Sequence, residues 1–522
     1  MGEPVVTIIK STFPDVPIRD RSITERVMEG LGDDPDRIVL IDGPSGREVS
    51  VGQFIGGVKA LAGGLTAKGL GQGACVALMA PNLPEYCIVL HGVAWAGSTI
   101  TTVNPTYTAH EVRHQLNDSG AVLLITIAPF LETAREAIEG TGVKEIYVIG
   151  EAAGARPLTE LMGPPLGSQA PVDLDAHPVA LPYSSGTTGL PKGVMLTHRN
   201  LAVNLDQALA AAKVEDHEFT VVFLPFFHIY GLLLANIYLS TASTMVTMPR
   251  FDLEQYLTLC ARYKTPRLWI VPPVAIALAK HPIIDKFDLS AVRQVNSAAA
   301  PLGADLAEAV GQRLHCVATQ GYGMTELSPV SHLTPVEAPR SGSSGITVPN
   351  TECRVVDPET GKDVAAGGTG ELWVRGPQVM KGYLNNPKAT AETIDPDGWL
   401  HTGDIGYFDS DGYLFVTDRV KELIKYKGFQ VAPAEVEAEL LTHPEIVDVA
   451  VIGVADDEAG EIPMAFIVPA PGTAPTLEIV QGFLEGRLSH YKQVRRMEIV
   501  TEIPKSASGK ILRRLLRDQL AG

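Results

Sequence analysis

Residues 183–194 read Tyr-Ser-Ser-Gly-Thr-Thr-Gly-Leu-Pro-Lys-Gly-Val and place hydroxyl side chains, glycines and one lysine in a single short segment. The hydroxyl groups that can donate to phosphate oxygens are those of Ser184, Ser185, Thr187 and Thr188. Glycines such as Gly186 let backbone N–H groups approach an anion closely, and Lys192 adds a positive charge. The segment therefore predicts a phosphate-binding loop. It is not a Walker A loop, because Gly193 follows the lysine where that motif has Ser or Thr, and the next residues predict a strand.

A second cation-rich segment lies at the carboxyl end of the chain. From Arg487 to Gly522 there are nine Lys or Arg residues and three Asp or Glu residues. Such a charge run is most often the solvated face of a helix. It also suits a movable surface for a polyanionic ligand, and it contains Lys510 in a Ser-Gly-Lys loop.

Composition limits the classes of function. The 522 residues are 45% hydrophobic and 20% charged, which is ordinary for a globular protein. A net charge of −18 argues against general binding to nucleic acids or to anionic membranes. The five cysteines are dispersed without a Cys-x-x-Cys pair, which argues against a disulfide framework or a zinc site and favours a reducing, cytoplasmic location.

Residues 221–249 contain no Asp, Glu, Lys or Arg and are long enough to span a bilayer. Pro225, Gly231 and Asn236 interrupt the stretch, as does His228. We therefore expect a buried core segment and no membrane span.

Hydrophobic periodicity predicts an α/β fold. Residues 51–65 carry the apolar stripe of an amphipathic helix, and the apolar run 75–79 predicts a buried strand. Helix 84–96 and strand 97–103 follow, and the same alternation recurs at 111–126, 200–224, 253–271 and 303–319. Strands that are apolar throughout and alternate with helices indicate parallel sheets covered on both faces.

The pattern changes after about residue 340. Short strands separated by turn signals are predicted at 352–356, 370–375 and 413–417, which indicates a β-rich section. From about residue 421 a small α+β unit is predicted, with a helix that begins at Pro433, strands at 447–454 and 464–468, and a helix at 476–489.

The string from Tyr183 to His198 resembles the phosphate loop of the adenylate-forming superfamily, which includes acyl-CoA synthetases, nonribosomal adenylation domains and luciferases. Five further strings occur in the order found in that superfamily: Leu-Pro-Phe-Phe-His-Ile-Tyr-Gly from 224, Gln-Gly-Tyr-Gly-Met-Thr-Glu from 320, Gly-Trp-Leu-His-Thr-Gly-Asp from 398, Asp-Arg-Val-Lys-Glu-Leu-Ile-Lys-Tyr-Lys-Gly-Phe-Gln-Val-Ala-Pro-Ala-Glu from 418, and Pro-Lys-Ser-Ala-Ser-Gly-Lys-Ile-Leu-Arg from 504. Within the superfamily, the strings around His228, Tyr322 and Lys421 are most similar to those of 4-coumarate–CoA ligases.

This resemblance implies a fold and a reaction. The fold would be a large N-terminal region of stacked α/β sheets with a β-rich subdomain (residues 1–420) and a small mobile α+β domain (residues 421–522). The reaction would use ATP, Mg²⁺ and coenzyme A. A carboxylic acid would first form an acyl-adenylate with release of pyrophosphate, and the CoA thiol would then displace AMP. Chemistry of this kind depends on positioning and on charge neutralisation.

The resemblance also implies which residues hold the nucleotide: Ser184, Ser185, Gly186, Thr187, Thr188 and Lys192 at the β- and γ-phosphates, Ala299, Gln320, Gly321 and Thr325 around the adenylate, and Asp404 with Arg419 at the ribose. Glu326 would hold Mg²⁺, which needs only one or two carboxylates beside phosphate oxygens.

Four residues would be catalytic by the same resemblance: Lys510, His228, Thr188 and Glu326. Lys510 would stabilise the charge shared between the carboxylate and the α-phosphate in the transition state. Lys421 matches the hinge of the C-terminal domain. Lys425 and Gln430 match residues near the acyl-phosphate, and the positions that match CoA contacts are Arg250, Lys427 and Gly428.

The acyl pocket would be lined by Tyr230, Asn296, Ala298, Ala299, Gly323 and Val330, with His228 as its gate. A lone histidine in an apolar segment is more often a satisfied core residue, and only its motif favours the gate. Plant 4-coumarate–CoA ligases typically have Lys and Gly where this chain has Asn296 and Ala298. One methyl group or one polar contact can change discrimination by about 1–3 kcal/mol. We therefore expect a CoA ligase for which cinnamate is at least as good a candidate as 4-coumarate.

Three alternatives remain at this point. The first is a synthetase for medium- or long-chain fatty acids. The second is a stand-alone adenylating enzyme with an acceptor other than CoA, although only twelve residues follow Lys510 and we expect no attached carrier domain. The third is a nucleotide-binding protein without catalysis, which would have no reason to retain Lys510. We expect a small-molecule carboxylic acid as the partner, no nucleic acid or membrane, and a monomer or weak homodimer.

Overall fold

The structure is a computed structural model that describes residues 7–184, 191–427, 429–456, 458–485, 487–488, 490–506 and 509–521, with the backbone alone at 429, 430 and 521. Its strands are β1 Ile9–Lys10, β2 Ile38–Asp42, β3 Glu48–Ser50, β4 Cys75–Met79, β5 Thr99–Val103, β6 Ala121–Ile127, β7 Glu145–Ile149, β8 Arg156–Pro157, β9 Pro178–Ser184, β10 Lys192–Thr197, β11 Phe219–Val222, β12 Thr244–Thr247, β13 Arg267–Ile270, β14 Gln294–Ser297, β15 Val317–Gly323, β16 Val330–Leu333, β17 Ile346–Thr347, β18 Glu352–Val356, β19 Gly370–Arg375, β20 Gly382–Tyr383, β21 Leu400–Phe408, β22 Leu414–Arg419, β23 Ile424–Tyr426, β24 Phe429–Val431, β25 Ile446–Asp456, β26 Gly460–Pro469 and β27 Arg496–Ile499.

The α-helices are α1 Ile23–Gly30, α2 Val51–Ala67, α3 Pro84–Trp95, α4 Ala109–Ser119, α5 Leu131–Ile138, α6 His198–Ala212, α7 Ile229–Ser240, α8 Leu253–Tyr263, α9 Pro272–Lys280, α10 Ala304–Leu314, α11 Pro387–Thr393, α12 Pro433–Leu440, α13 Leu477–Leu484 and α14 Arg513–Ala521. Short 3₁₀ helices occur at Ala128–Phe130, Leu158–Leu161, Pro282–Lys286, Thr325–Leu327 and His490–Lys492. The predicted alternation of helices and buried strands is confirmed.

The largest sheet carries the ends of the phosphate-binding segment. Its strand order is β20-β10-β9-β5-β4-β6-β7-β8, and the strands from β9 to β8 are parallel. β4 and β5 are buried along their whole length, because helices cover both faces of the sheet. α3 and α4 pack against these strands, and α2, which begins with a capping box between Ser50 and Gln53, packs against α3.

Two further sheets complete the α/β part. One has the order β11-β12-β2-β3, and the other has the order β13-β14-β15-β16-β17. The uncharged stretch 221–249 is buried almost throughout, mainly as α7 and as β12 of the first of these sheets, so the prediction of a core segment is confirmed. Among the residues that the structure describes, no helix is long and apolar enough to cross a membrane.

The β-rich section is an antiparallel sheet of order β1-β18-β19-β21-β22. The last sheet, which contains β24, β23, β26, β25 and β27, has its own core around Val449, Ala465 and Ile467. The predicted domain boundary at 420/421 falls in the gap between Arg419, where β22 ends, and Ile424, where β23 begins. The predicted helix at 476–489 is too long, because the helix ends at Leu484 and Glu485 has extended backbone angles.

Several histidines are buried inside the large N-terminal part, where they are held neutral. Burial lowers the pKa of His91, His198 and His332 to about 3. An unfolded chain would protonate the same side chains near pH 6.5. The stability that follows from keeping them neutral is therefore fully present above pH 6.5 and is lost as the pH falls towards 3.

We predict that the free energy of unfolding falls by about 1.4 kcal/mol per histidine for each pH unit below about 6. Urea unfolding between pH 7.5 and 5 would measure this slope. In the variant His91→Gln this slope should be smaller by about 1.4 kcal/mol per pH unit, which is the contribution of one titrating histidine. A slope that is the same in this variant and in the wild type would contradict the prediction.

Candidate active site

One cavity of about 1130 Å³ collects most of the predicted site residues. Its walls come from four parts of the fold: the carboxyl ends of β5 and β9, the start of α7, the turn between β15 and β16, and the segment after β22 together with the loop that holds Lys510. The C-terminal part thus reaches the cavity through α14 and the loop that holds Lys510, and no described strand residue of the last sheet lines it.

The described ends of the predicted phosphate-binding segment lie on two antiparallel strands beside this cavity. β9 ends at Ser184 and β10 begins at Lys192, and these two residues are paired in the sheet. Both line the cavity. The predicted phosphate ligands Ser185, Gly186, Thr187 and Thr188 lie outside the described residues.

Neighbouring elements fix the position of β9 and β10. The Tyr183 hydroxyl donates to Oδ2 of Asp118 on α4 at 2.7 Å, which ties the end of β9 to that helix. On the other side, the Lys192 ammonium lies 4.3 Å from the centre of the Tyr383 ring. Among the described residues, Lys192 has no hydrogen-bond or ion-pair partner, so its charge is available to an anion in the cavity.

Glu326, the predicted metal ligand, lies in the short helix between β15 and β16 and lines the cavity. It is 5% exposed. Its Oε1 accepts a hydrogen bond of 2.8 Å from the Tyr383 hydroxyl, and its backbone oxygen accepts one of 2.8 Å from Met380 N. No described residue bonds to Oε2, which leaves one carboxylate oxygen for a cation.

A single carboxylate fits Mg²⁺ that arrives with a nucleotide, because the phosphates and water supply the other oxygen ligands. Among the described residues, no three His, Cys, Asp or Glu side chains are close enough to form a metal site of their own. The residues present therefore fit a cation shared with a polyphosphate and do not form a resident metal centre.

Asp404 and Arg419 face each other across β21 and β22. Arg419 Nε donates to Oδ1 of Asp404 at 2.9 Å, and the Tyr322 hydroxyl donates to Oδ2 at 2.7 Å. Asp404 is buried behind the cavity wall, whereas Tyr322 and Arg419 line it. Each carboxylate oxygen can accept a second hydrogen bond, so a ribose hydroxyl can still be bound after a small adjustment.

Lys510 reaches the cavity from the loop before α14. Gly509 has a φ of +79°, and a Cβ there would lie 3.2–3.4 Å from Val271 and Pro273, so a glycine permits the close packing of the loop on the start of α9. Among the described residues the ammonium has no partner. Burial, followed by the charge of Arg419, lowers the pKa of Lys510 to about 8.

His228 is the N-cap of α7, and its Nδ1 accepts from Tyr230 N at 3.3 Å. Burial, followed by the charge of Lys510, lowers its pKa to about 4. The ring is therefore neutral at physiological pH and carries its proton on Nε2. His228 and Tyr230 both line the cavity, but the Tyr230 hydroxyl oxygen is buried and has no hydrogen-bond partner among the described residues. The surface that Tyr230 presents to the cavity therefore comes from its other atoms and not from the hydroxyl oxygen.

The opposite wall is formed by two neighbouring parallel strands and the turns that follow them. The predicted acyl-pocket residues on this wall that line the cavity are Asn296, Ala298, Ala299, Gly323 and Val330, and the predicted nucleotide residues Gly321 and Thr325 line it as well. Ala299 has a φ of +73°, a left-handed conformation that is strained for a residue with a side chain. At Gly323 a Cβ would lie 2.1 Å from Pro329 O, so this glycine is required by the backbone.

Several predicted residues do not line the cavity. The Gln320 amide is buried and exchanges two hydrogen bonds with the Leu302 backbone, at 2.8 and 2.9 Å, so it holds the turn that contains Ala299. Lys425, Lys427 and Arg250 are exposed away from the cavity. The Gln430 side chain and the whole of Gly428 lie outside the described residues, while Lys421 is exposed and lines the cavity.

The sequence analysis missed three residues that shape the site. Tyr383 bonds to Glu326 and lies under Lys192, as described above. Asn82 is buried, donates to the Val222 and Leu224 oxygens and accepts from Phe226 N, so it fixes the loop before His228. Asn204 forms two hydrogen bonds with the Val330 backbone. None of the three lies in a motif of known chemistry, and no sequence signal short of the fold itself indicates them.

Comparison with known proteins agrees with this geometry. The family model "AMP-binding enzyme" matches residues 29–384, and the model "AMP-binding enzyme C-terminal domain" matches residues 435–510. The chain belongs to the AMP-binding enzyme family. The predicted superfamily and its fold are thereby confirmed, as is the assignment as an AMP-forming acid–thiol ligase.

Among the relatives of this AMP-binding enzyme is 4-coumarate–CoA ligase 3 of Oryza sativa subsp. japonica, which is 42% identical over 99% of this chain and 95% of the relative. Two solved structures are also similar. The anthranilate CoA ligase AuaEII in complex with anthranoyl-AMP has a TM-score of 0.88 at 27% identity and covers 97% of this chain and 98% of its own. ATP-bound MatB from Rhodopseudomonas palustris has a TM-score of 0.87 at 28% identity, with coverage of 96% and 99%.

The Asp404–Arg419 pair can be tested against a matched pair elsewhere. Arg354 and Asp363 form a similarly buried ion pair at 2.9 Å that does not line the cavity. We predict that Asp404→Asn and Asp363→Asn each lower the free energy of unfolding by about 1–3 kcal/mol. Only Asp404→Asn should weaken ATP binding, by tenfold or more in calorimetric titration. Equal ATP affinity in the two variants would contradict a nucleotide-binding role for Asp404.

Proposed function

We propose that this AMP-binding enzyme is an acid–CoA ligase that activates aromatic acids of the 4-coumarate and cinnamate type. The observation that carries the proposal is the cavity itself. It is lined by Lys192 and Lys510, whose ammonium groups have no ion-pair partner among the described residues, and by Glu326, which has one carboxylate oxygen that no described residue bonds. Apolar side chains of α7 form the wall beside them. The identity of 42% to a 4-coumarate–CoA ligase over 99% of the chain supports the choice of acid and acceptor.

In the proposed first step, a carboxylate oxygen of the acid attacks the α-phosphorus of ATP, and the bond from that phosphorus to the pyrophosphate oxygen breaks. Ser184 and Lys192 would bind the β- and γ-phosphates from the ends of β9 and β10. Glu326 would hold Mg²⁺, which neutralises phosphate charge when bound. Asp404 would accept hydrogen bonds from the ribose hydroxyls, and Arg419, which donates to Asp404 Oδ1, would hold that carboxylate in place.

Lys510 would donate from its ammonium to oxygens shared by the acid and the α-phosphate. Negative charge increases there in the transition state, and a desolvated cation stabilises it strongly. His228 is neutral, with Nδ1 used by the backbone of α7, so it would orient the acid through Nε2 without transferring a proton. In the second step the CoA sulfur attacks the acyl carbon, the bond to the AMP oxygen breaks, and the thiol proton leaves to solvent.

The predicted CoA contacts Arg250 and Lys427 lie away from the cavity in this arrangement. We propose that they act in the second step, after rotation about Lys421. The domain boundary at 420/421 belongs to the same proposal, because Lys421 lies between the last strand of one sheet and the first strand of the next. The Mg²⁺ requirement, the monomeric or weakly dimeric state and the cytoplasmic location likewise stay predictions.

An elongated acid fits the acyl wall. Tyr230, Leu233, Leu234 and Ile237 line the cavity from α7 at the spacing of one helix face, and this stripe is roughly 10 Å long at about 1.5 Å per residue. Facing it, Asn296 Nδ2 donates to Thr319 Oγ1 at 3.0 Å, so the amide orientation is fixed. An extended planar acid with an apolar body is the substrate class that this wall supports.

Pyrophosphate release with ATP and Mg²⁺ tests the proposal directly. The panel of acids is cinnamate, 4-coumarate, caffeate, benzoate, octanoate and palmitate, each with and without CoA. We expect turnover that is stimulated by CoA on the cinnamates and at least tenfold lower kcat/KM on octanoate and palmitate. Turnover confined to the fatty acids would overturn the aromatic substrate, and release unaffected by CoA would overturn CoA as the acceptor.

The low pKa of Lys510 predicts the alkaline limit of the first step. The ammonium is charged below about pH 8 and loses its charge as the pH rises through that value. Pyrophosphate release should therefore fall about tenfold per pH unit above 8 in the wild type. In Lys510→Arg the rate should be lower overall but flat to pH 10, because a guanidinium stays protonated. A wild-type rate that is constant from pH 7.5 to 9.5 would refute this role.

A further inference from the structure

Tyr383 contacts two charged residues of opposite sign that the proposed reaction needs. Its hydroxyl donates to Glu326 Oε1 at 2.8 Å, and its ring centre lies 4.3 Å from Lys192 Nζ. Lys192 and Glu326 themselves do not form an ion pair within the 4.0 Å that defines one. A single aromatic side chain thus satisfies both residues while keeping them separate.

The position of Tyr383 is fixed on all sides. Its backbone pairs with Val194 on β10, and its N–H donates to Thr390 Oγ1 at 2.9 Å. Leu384 N also donates to Gly193 O at 2.8 Å, so the strand that starts at Lys192 is attached to the residue after the tyrosine as well. Tyr383 is only 6% exposed.

Glu326 is held by the same segment twice. Its backbone oxygen accepts from Met380 N, and its side chain accepts from Tyr383. Burial, followed by the charge of Glu326, raises the pKa of the Tyr383 hydroxyl, so it remains a donor across the physiological range. Oε1 is thereby used, and Oε2 has no hydrogen-bond partner among the described residues.

Electrostatics explains why this separation matters. A lysine and a glutamate that met directly in a partly buried site would neutralise each other, and a phosphate and a cation would then have to break that pair. A ring face attracts an ammonium without supplying a full counter-charge, and a phenol donates to a carboxylate without supplying a positive charge. Both charged residues therefore keep most of their charge for a ligand.

On the basis of the proposed function, we infer that Tyr383 is a positioning residue which keeps Lys192 and Glu326 apart and aims them at the polyphosphate and its Mg²⁺. Tyr383 touches neither the acid nor the α-phosphate in this proposal. It acts through the two residues that do the binding.

Calorimetric titration with ATP, with and without Mg²⁺, separates the two contacts. Tyr383→Phe removes the hydroxyl and keeps the ring, so ATP affinity without Mg²⁺ should stay within twofold of the wild type. The gain in affinity on adding Mg²⁺ should shrink at least fivefold, because Glu326 is no longer oriented. Tyr413→Phe is the matched control, because Tyr413 is also buried, its ring also lies under a cation, Arg340, at 4.8 Å, and its hydroxyl donates to Ala338 O at 2.6 Å away from the cavity. It should leave the gain in ATP affinity on adding Mg²⁺ unchanged.

Tyr383→Leu removes the ring as well, and Lys192 and Glu326 can then pair. ATP affinity without Mg²⁺ should fall at least fivefold. The double variant Tyr383→Leu/Glu326→Gln removes the competing carboxylate and should restore Mg²⁺-free ATP affinity to within twofold of the wild type. A residue with only a structural role would give no such rescue, and thermal unfolding of each variant checks its folding.

The outcomes are distinct. The role of Tyr383 is overturned if the double variant does not regain ATP affinity. It is also overturned if adding Mg²⁺ raises ATP affinity equally in Tyr383→Phe and in the wild type. Absence of ATP binding by the wild type overturns the proposed function instead. The reduced Mg²⁺ gain together with the rescue supports the inference.

Discussion

The site depends on one electrostatic constraint: an acidic chain keeps cations without partners around a single cavity. The ammonium groups of Lys192 and Lys510 have no hydrogen-bond or ion-pair partner among the described residues, although the chain has a net charge of −18. Glu326 and Glu371, which line the same cavity, accept hydrogen bonds from neutral donors, the Tyr383 hydroxyl and Gly403 N, while Glu422 pairs with Arg513. Neither ammonium group is paired directly with one of these carboxylates, so an entering polyanion meets positive charge that no ion pair neutralises.

Much of the fold around this cavity could be predicted from local pattern. Strands such as β4 are apolar throughout, and helices such as α2 carry a capping box and an apolar stripe, so periodicity predicts them. The motifs place Glu326 and Lys510 in the site as well. For these two residues the placement comes from the resemblance of their strings to those of the adenylate-forming superfamily and not from the composition of the strings.

Contacts between distant segments could not be predicted in this way. Tyr383 meets Glu326 and Lys192 only because β20 pairs with β10, and nothing in its own sequence surroundings indicates that pairing. Gln320 shows the converse. Its motif suggests a nucleotide contact, but the register of β15 turns its amide towards the Leu302 backbone.

The C-terminal part depends on ion pairs that also involve the segment after β22. Arg513, at the start of α14, donates to Glu422 and to Glu437 at 2.7 Å and to Val451 O at 3.1 Å. All three side chains are largely buried, so removal of Arg513 would leave two carboxylates without a counter-charge. This cluster lies three residues from Lys510, and it fixes the helix that follows the lysine loop.

Burial also explains why the pKa of Lys510 is low. An ammonium that is moved from water into the cavity loses solvation, and this is the main reason why its pKa falls to about 8. Without an anion nearby that loss opposes the arrangement seen here, whereas a polyphosphate in the cavity would offset it. The position of the loop that holds Lys510 and the occupancy of the cavity are therefore linked through the charge of this lysine. A polyanion that favours the arrangement with Lys510 in the cavity must bind more tightly to that arrangement than to one with Lys510 outside it.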